Sequence, residues 1–519
     1  MLNIVFLLAT LSLTWTFSKN AIHMFQQNRY EFYRYSKWLF NAQNMHMAAI
    51  VVAAILFLIL TFVDIPFENY IVIVLSFVFG LWYVNKERQK EYIKPLVYTM
   101  RVKRMVIVFA LLEVSLIVLA LIFNLPYALI ALFVIYGPYL LIYPVNILMM
   151  PFERLIKKRY ENDAIKQLRA MDKLKIIGIT GSFGKTSVKN IVHDILDESY
   201  YTLMTPASYN TPMGITRTIR EYLKPIHEVF VCEMGADHVG EITYLMKFVK
   251  PSYGIVTSIG PQHLNTFKNM DNIIHEKMQA IELLPQDGVG ILNIDNEYIA
   301  NYQLKNTCRI ITVGIHNNNA QWLAKNIKFN KQGSTFEIEK DGQTYTFETM
   351  LLGEHNVMNI LVGIALAYEM GVSMDDITRS VRRIKRIEHR LELKEMNGYT
   401  FIDNAFNSNP VSAKHSLDVL KMMDHERVII TPGLIDLGSE QYRYNKELGE
   451  YMNGRVDLVL LVGKMQTKAI VDGLETSAFP SDKVKVFDTV KEAFNYVYTH
   501  VSKEATILLE NDLPDAFSR

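Results

Sequence analysis

The sequence predicts an α-helical, membrane-type N-terminal domain followed by two α/β domains, a P-loop central domain on a parallel sheet and a Rossmann-like C-terminal domain. Three observations carry this. The long uncharged runs cluster in the first 150 residues. Gly178-Ile-Thr-Gly-Ser-Phe-Gly-Lys-Thr-Ser187, a glycine-rich loop, follows the apolar run from Leu174 to Ile177. Beyond it, apolar β-like runs alternate with helical stretches, as in a parallel α/β sheet.

Uncharged runs fill residues 1–17, 45–63, 70–84 and 127–149, and 105–124 carries one charge, Glu113. A helix needs roughly 17–25 apolar residues to cross a bilayer, so 70–84 is short. That run ends in Trp82 and Tyr83, aromatic anchors of the headgroup-level type. Glu113 is read either as a lumen-facing site or as a charge satisfied between helices.

The loops orient the spans. Lys19, Arg29, Arg34 and Lys37 lie in 18–44, and Lys86, Arg88, Lys90, Lys94, Arg101, Lys103 and Arg104 in 85–104. Residues 64–69 hold Asp64 and Glu68 and no basic residue, and the turn at Leu125-Pro126 is uncharged. Five spans with basic loops inside put the N-terminus outside and everything after Pro151 in the cytoplasm of a multi-pass membrane protein. Arg154, Lys157, Lys158 and Arg159 agree. A cleaved signal peptide at 1–17 is the rival, but the run lacks a basic start and a small-residue exit.

Half of the residues are apolar and the formal net charge is +1. With a mean hydropathy of +0.10, this is unusual for a soluble enzyme. No long basic stripe marks the soluble part, which argues against nucleic acid as a partner. Cys232 and Cys308 are the only cysteines, as expected in a reducing compartment without a disulfide framework.

The expected organisation is a membrane domain over 1–150, a charged amphipathic connector over 151–172, a central ATP-binding domain over 173–378 and a C-terminal domain over 379–519. Expected strands are Lys175–Thr180, Val229–Glu233, Gly254–Ser258 and Val289–Asn293. A β-rich excursion follows at Arg309–Val313, Ala324–Phe329, Thr335–Glu339 and Thr344–Glu348, then a helix over Asn356–Met370. The last domain is expected to place strands at Thr400–Asp403, Val428–Thr431, Leu458–Val462 and Thr506–Leu509.

The loop carries the chemistry. A glycine-rich turn between strand and helix offers backbone N–H groups to phosphate oxygens, so Gly181, Ser182, Gly184, Lys185, Thr186 and Ser187 are nucleotide-binding candidates. Lys185 would reach the β- and γ-phosphates and the Thr186 hydroxyl would ligate Mg²⁺. The strict pattern wants glycine where Ile179 stands. Val229-Phe-Val-Cys-Glu233 is an apolar strand ending in a carboxylate, which makes Glu233 the metal partner of Thr186. Asn210, in Asn210-Thr-Pro-Met-Gly214, lies in a turn that is equally well an ordinary β-turn. His263 could offer an imidazole to a metal or cap a helix. Lys277, taken alone, reads as an exposed surface lysine.

Thr180-Gly-Ser-Phe-Gly-Lys-Thr-Ser187, Glu233-Met-Gly-Ala-Asp-His-Val-Gly-Glu-Ile242, Gly260-Pro-Gln-His-Leu264, Gly353-Glu-His-Asn-Val-Met-Asn359 and Asp403-Asn-Ala-Phe-Asn-Ser-Asn-Pro410 resemble, in order, the signatures of the Mur ligases, most of all the MurF type. The resemblance runs from about Lys173 to about Gly463. It implies an ATP-dependent amide ligase that activates a carboxylate as an acyl phosphate for attack by an amine, as MurF enzymes do with a UDP-muramoyl tripeptide and D-alanyl-D-alanine.

The resemblance also implies residue roles. Lys185, Asn210, His263, Lys277 and Arg390 would be catalytic. Thr186, Glu233, His263 and Lys277 would hold one or two Mg²⁺ ions, with Lys277 at the position of a lysine carbamylated by CO₂. Asn356 and Asn359 would lie near the adenine, and Arg390 and Asp403 would complete the nucleotide site on closure. Departures from the MurF pattern are Asn404 and Phe406, where a second acid and a tyrosine are usual, and Thr431-Pro432 before Gly433-Leu-Ile-Asp-Leu-Gly438. Five spans stand in place of the small UDP-sugar-binding domain.

The expected partners are therefore an envelope precursor with a carboxylate, UDP- or lipid-linked, an amino acid or dipeptide amine, and membrane lipid. A poly-γ-glutamate synthase-like ligase is the alternative, distinguished by repeated additions. A P-loop ATPase coupled to transport is a second. Against it, no Leu-Ser-Gly-Gly-Gln signature is found and the spans carry a single acidic residue.

Overall fold

The computed structural model describes residues 2–40, 51–52, 55–56, 58–60, 62, 67–88, 95–330, 333–387, 389–405, 408–435, 437–464 and 466–511. The chain divides into two compact units, one over Met1–Lys158 and one over Arg159–Asp512.

The first unit is helical, with helices Leu2–Gln27, Phe32–Leu39, Glu68–Arg88 and Met100–Ile122 and the start of Tyr127–Arg169. Among the described residues, three helices are long and apolar enough to cross a membrane: Asn69–Arg88, Met100–Ile122 and Tyr127–Arg169. The span expected at 45–63 lies largely outside the described residues. The short run at 70–84 is extended at both ends into a 21-residue helix. Thr99 starts Met100–Ile122 by accepting the Val102 N–H on its side chain.

Residues 151–169 of the expected connector are helical and continue the last apolar run, in one helix of 43 residues with Pro138, Pro144 and Pro151 inside it. Each proline removes a ladder N–H without ending the helix. Tyr83, at the end of the run 70–84, is buried and stacks on Phe17 at 4.3 Å between centroids.

The second unit contains two sheets. The first joins β1 (Lys175–Thr180), β2 (Thr202–Met204), β3 (Val229–Glu233), β4 (Tyr253–Val256), β5 (Val289–Asn293), β6 (Arg309–Gly314), β7 (Trp322–Asn330), β8 (Gly333–Lys340) and β9 (Gln343–Thr349). Their order is β2-β3-β1-β4-β5-β6-β7-β8-β9. Pairings through β6–β7 are parallel and the last two are antiparallel. The expected β-rich excursion thus extends the parallel sheet through β7 into a meander. β4 ends at Val256, so Thr257 and Ser258 belong to the loop that follows it.

The second sheet holds β10 (Glu392–Met396), β11 (Tyr399–Asn404), β12 (Arg427–Thr431), β13 (Leu458–Val462), β14 (Val484–Phe487) and β15 (Thr506–Glu510). Its order is β10-β11-β15-β12-β13-β14, parallel except for the β10–β11 hairpin.

The core explains the order of elements. β1, β3 and β5 are buried along nearly their whole length, as strands covered on both faces must be. Val188, Ile191, Val192 and Ile195 of helix Lys185–Leu196 are fully buried in the same cluster as the β1 and β3 side chains Ile177, Ile179, Val229 and Val231. Each such side chain contributes about 1.5–3 kcal/mol by leaving water. Ile179 is fully buried in β1, so the glycine of the strict phosphate-loop pattern is replaced here by a core residue.

Candidate active site

Sheet order assembles the site. β1 lies between β3 and β4, and Ile179 pairs with Glu233 while Thr180 pairs with Val256. The carboxyl ends of three adjacent parallel strands therefore deliver the phosphate-type loop, Glu233 and the segment leading to His263 to one edge, where α/β sheets bind ligands.

The loop is fixed from behind. Gly181 has φ 149° and Gly184 φ 78°, the latter just before helix Lys185–Leu196. The Ser182 N–H donates to the Ser258 carbonyl at 2.7 Å, and its hydroxyl donates to the Gly260 carbonyl at 2.9 Å. Ser182 thus ties the loop to the segment after β4. The Lys185 ammonium donates to the Gly181 and Ser182 carbonyls at 2.7 and 3.1 Å, closing the loop on itself. Burial lowers it to about 8 against the opposing pull of Glu233. Ser187 is buried under the loop.

Glu233 is the hub, with 1 % of its surface exposed. Its Oε1 accepts from the Thr186 hydroxyl at 3.3 Å and from the Asn210 amide at 2.9 Å. Its Oε2 lies 3.2 Å from the ammonium of Lys189, itself 1 % exposed. Losing one member of such a buried pair costs about 3–5 kcal/mol. Asn210 is held in turn: its carbonyl accepts the Gly235 N–H at 2.8 Å, and Thr211 caps helix Pro212–Tyr222 directly after it. Arg390 reaches the same place, its Nη2 3.5 Å from the Thr186 hydroxyl.

Lys277 is not an exposed lysine. Helix Met270–Glu282 starts on the Asn269 cap and buries Ile273, Lys277 and Ile281, spaced by four, on one face. The Lys277 ammonium donates to the Ala236 carbonyl at 3.0 Å, three residues beyond Glu233. Burial, then the charge of Lys185, lowers it to about 7. His263 adopts left-handed backbone, φ 51°, immediately before the short helix Leu264–Phe267. Its carbonyl and that of Asp237 both accept from the Thr266 hydroxyl, which binds the His263 turn to the segment after Glu233.

The remaining candidates are spread more widely. Asn359 is buried beside Gly184, where an added Cβ would lie 3.0 Å from its Oδ1. The Asn356 amide donates to the Leu352 carbonyl at 2.8 Å, inside its own helix start. Asp403 accepts from Lys394 at 2.9 Å and pairs with His389 at 2.7 Å, next to Arg390 in sequence. Lysine and histidine together hold its carboxyl below the usual range despite burial. Phe406 lies outside the described residues.

Sequence reasoning missed Lys189 and Glu510. Lys189 stands four residues after Lys185 on the same helix, a buried cation on an otherwise apolar face. Glu510 is fully buried and accepts from Asn404, Ser408 and Ser416, fastening the loop after β11 to the end of β15. Asp237, His238 and Glu241 also gather close enough to hold an ion. The Glu241 carboxylate there accepts the N–H groups of Asp237 and His238, a helix-start arrangement that needs no metal.

The chain is similar to known proteins along this unit. The Mur ligase middle domain family matches residues 179–367, and the Mur ligase glutamate ligase domain family matches 389–510. A UDP-N-acetylmuramoyl-tripeptide–D-alanyl-D-alanine ligase of Bacillus subtilis is 28% identical over 340 residues, 65% of this chain and 72% of the relative. That of Escherichia coli is 28% identical over 320 residues, 61% of this chain and 70% of the relative. The structure of MurF from Acinetobacter baumannii superposes with a TM-score of 0.62 at 26% identity, covering 68% of this chain and 77% of that one.

Proposed function

The chain belongs to the Mur ligase family by its middle and glutamate-ligase segments, and from that premise we propose that it forms an amide bond on an envelope precursor at the membrane. It is an ATP-dependent, ADP-forming ligase of the Mur type, MurF-like in its relatives, with a peptidoglycan precursor as the substrate class they support. The observation that carries the reading is the convergence of Lys185, Thr186, Asn210, Glu233 and Arg390 at one sheet edge.

The residues fit Mg²⁺ as well as a nucleotide. The Thr186 hydroxyl and the Glu233 carboxylate are hard oxygen donors in contact, the ligand type that Mg²⁺ prefers. Thr186 and Glu233 would hold the ion, with His263 and Lys277 as further ligands, and it would neutralise charge on the phosphates. A lysine ammonium cannot ligate a cation. As a carbamate, formed when the free amine adds CO₂ and releases a proton, Lys277 can. Its lowered proton affinity leaves free amine near neutral pH. Protein equilibrated with ¹³CO₂ is expected to give a carbamate carbon resonance that disappears in Lys277→Met. A resonance that persists in the variant would exclude this lysine.

The proposed reaction has two steps. A carboxylate oxygen of the donor attacks the γ-phosphorus, and the bond to the β,γ-bridging oxygen breaks, leaving ADP and an acyl phosphate. The amine of an amino acid or dipeptide, D-alanyl-D-alanine in the MurF relatives, then attacks the acyl carbon. Phosphate leaves and the nitrogen loses a proton. Lys185 and Arg390 contribute charge neutralisation and positioning, the terms that dominate phosphoryl transfer. Arg390, Asp403 and Asn359 would close the nucleotide site and exclude water from the acyl phosphate, which otherwise hydrolyses.

The apolar helices before residue 159 support a membrane-embedded enzyme with its ligase unit in the cytoplasm and a donor carried on a polyprenyl lipid. Phosphate release by detergent-purified protein with Mg-ATP and D-alanyl-D-alanine tests this. Turnover is expected with a polyprenyl-linked muramoyl tripeptide and not with the soluble UDP form. Turnover with the UDP form alone would reduce the helices to an anchor. Silence with both, beside intact ATP binding, would contradict the peptidoglycan assignment and favour γ-glutamyl polymers.

A further inference from the structure

Lys189 is the residue that the reaction scheme leaves unused. Its side chain runs from the nucleotide helix into the protein with 1 % exposure, and its ammonium has two partners. One is Glu233 Oε2 at 3.2 Å and the other is the carbonyl of Ala207. Ala207 has φ 42°, left-handed backbone that an alanine adopts only when its surroundings hold it there. Ala207 belongs to the loop that delivers Asn210. At the other end of that loop, the Thr205 hydroxyl accepts the Glu233 N–H at 3.1 Å. One ammonium therefore joins the nucleotide helix, the metal-type carboxylate and the asparagine loop.

The two Glu233 oxygens are unlike. Oε1 faces the neutral donors of Thr186 and Asn210, which an arriving cation can displace or share. Oε2 faces a fixed positive charge that repels a second cation.

We propose that Lys189 is a positioning residue that turns Glu233 so that only Oε1 is offered to the metal, enforcing one-oxygen ligation on the Thr186 side and holding the Asn210 loop in register with it. The inference rests on the reading of Glu233 as a metal ligand. Removing the ammonium frees Oε2, so a divalent cation then binds more tightly but in the wrong place. The expected signature is tighter metal binding with slower turnover, which loss of structure does not produce.

Mn²⁺ titration of the nucleotide-free full-length protein, followed by electron paramagnetic resonance, tests it against Lys189→Met, Lys189→Arg and Glu233→Gln. Wild type should bind Mn²⁺ at a site that Glu233→Gln loses. Lys189→Met should bind about tenfold more tightly with kcat lowered about 100-fold, and Lys189→Arg, which keeps the charge, should retain wild-type Mn²⁺ affinity. Equal or weaker Mn²⁺ binding in Lys189→Met, beside an intact Glu233-dependent site in wild type, overturns the role of Lys189 alone. Mn²⁺ binding indifferent to Glu233→Gln overturns the metal reading and this inference with it. If Lys189→Met does not fold, a changed Mn²⁺ affinity in the charge-conserving Lys189→Arg overturns the proposal, and an unchanged one supports it.

Discussion

Lys185→Ala is expected to lower kcat about 10³-fold while ADP affinity weakens by no more than about tenfold. The ammonium caps the loop through the Gly181 and Ser182 carbonyls, so an incoming phosphate takes over a donor that is already positioned. A preorganised cation at a transferring phosphoryl group is worth about 10²–10³ or more in rate, because it stabilises charge that develops only in the transition state. A binding contact with ground-state phosphate contributes less. The other ties of the loop, Ser182 to Ser258 and Gly260, survive the substitution, so the variant should fold. Rapid-quench measurement of phosphate formation, with calorimetric titration of ADP, separates the two effects. A kcat within tenfold of wild type would remove Lys185 from the chemistry.

Gly181→Ala is expected to abolish nucleotide binding, weakening it at least about 100-fold, and to lower the melting temperature. Two costs combine. The φ of 149° lies where L residues are strained, at about 1–3 kcal/mol. An added Cβ would also lie 2.1 Å from the Thr257 hydroxyl and 2.9 Å from the Ser258 carbonyl oxygen. Neither neighbour can withdraw freely. The Ser258 carbonyl accepts the Ser182 N–H at 2.7 Å, and the Thr257 hydroxyl is bonded to the Thr180 carbonyl at 3.3 Å and to that of Phe183. The loop must therefore move off the strands that aim it. Gly240→Ala is the control, since Gly240 also has positive φ, 97°, but open space around its Cβ position. Calorimetry with a non-hydrolysable ATP analogue and thermal melting should separate the two variants. Equal behaviour would mean that backbone strain alone governs the loop.

What could be read from the sequence was what is contiguous in it. The glycine-rich loop, the strand ending in Glu233 and the alternation of β and helical runs are local patterns, and β1, β3, β5 and β13 fall on the expected residues. β2 escaped because three residues carry too little periodicity, and β10 because Glu392-Leu-Lys-Glu-Met396 is mostly polar. Composition changes near residue 151, but helix Tyr127–Arg169 runs through that point, because its backbone hydrogen bonds do not depend on which side chains the helix carries. Lys189 and Lys277 were illegible for a common reason. A lysine on a helix reads as solvated unless its partner is known, and the partners, Glu233 and the Ala236 carbonyl, lie 44 and 41 residues away in sequence. Glu510 depends on Asn404, Ser408 and Ser416, about a hundred residues earlier, brought beside it by the parallel pairing of β11 with β15.

The central claim, that this protein couples ATP to amide synthesis through an activated carboxylate, is tested most directly by isotope transfer. A donor labelled with ¹⁸O in both carboxylate oxygens is offered with Mg-ATP and D-alanyl-D-alanine, and the released phosphate is analysed by mass. An acyl phosphate requires one labelled oxygen in each phosphate and one retained in the new amide, with no phosphate formed when the amine is left out beyond a single enzyme-bound equivalent. Unlabelled phosphate, released at the same rate without amine, would contradict the account and leave a nucleotide hydrolase in its place.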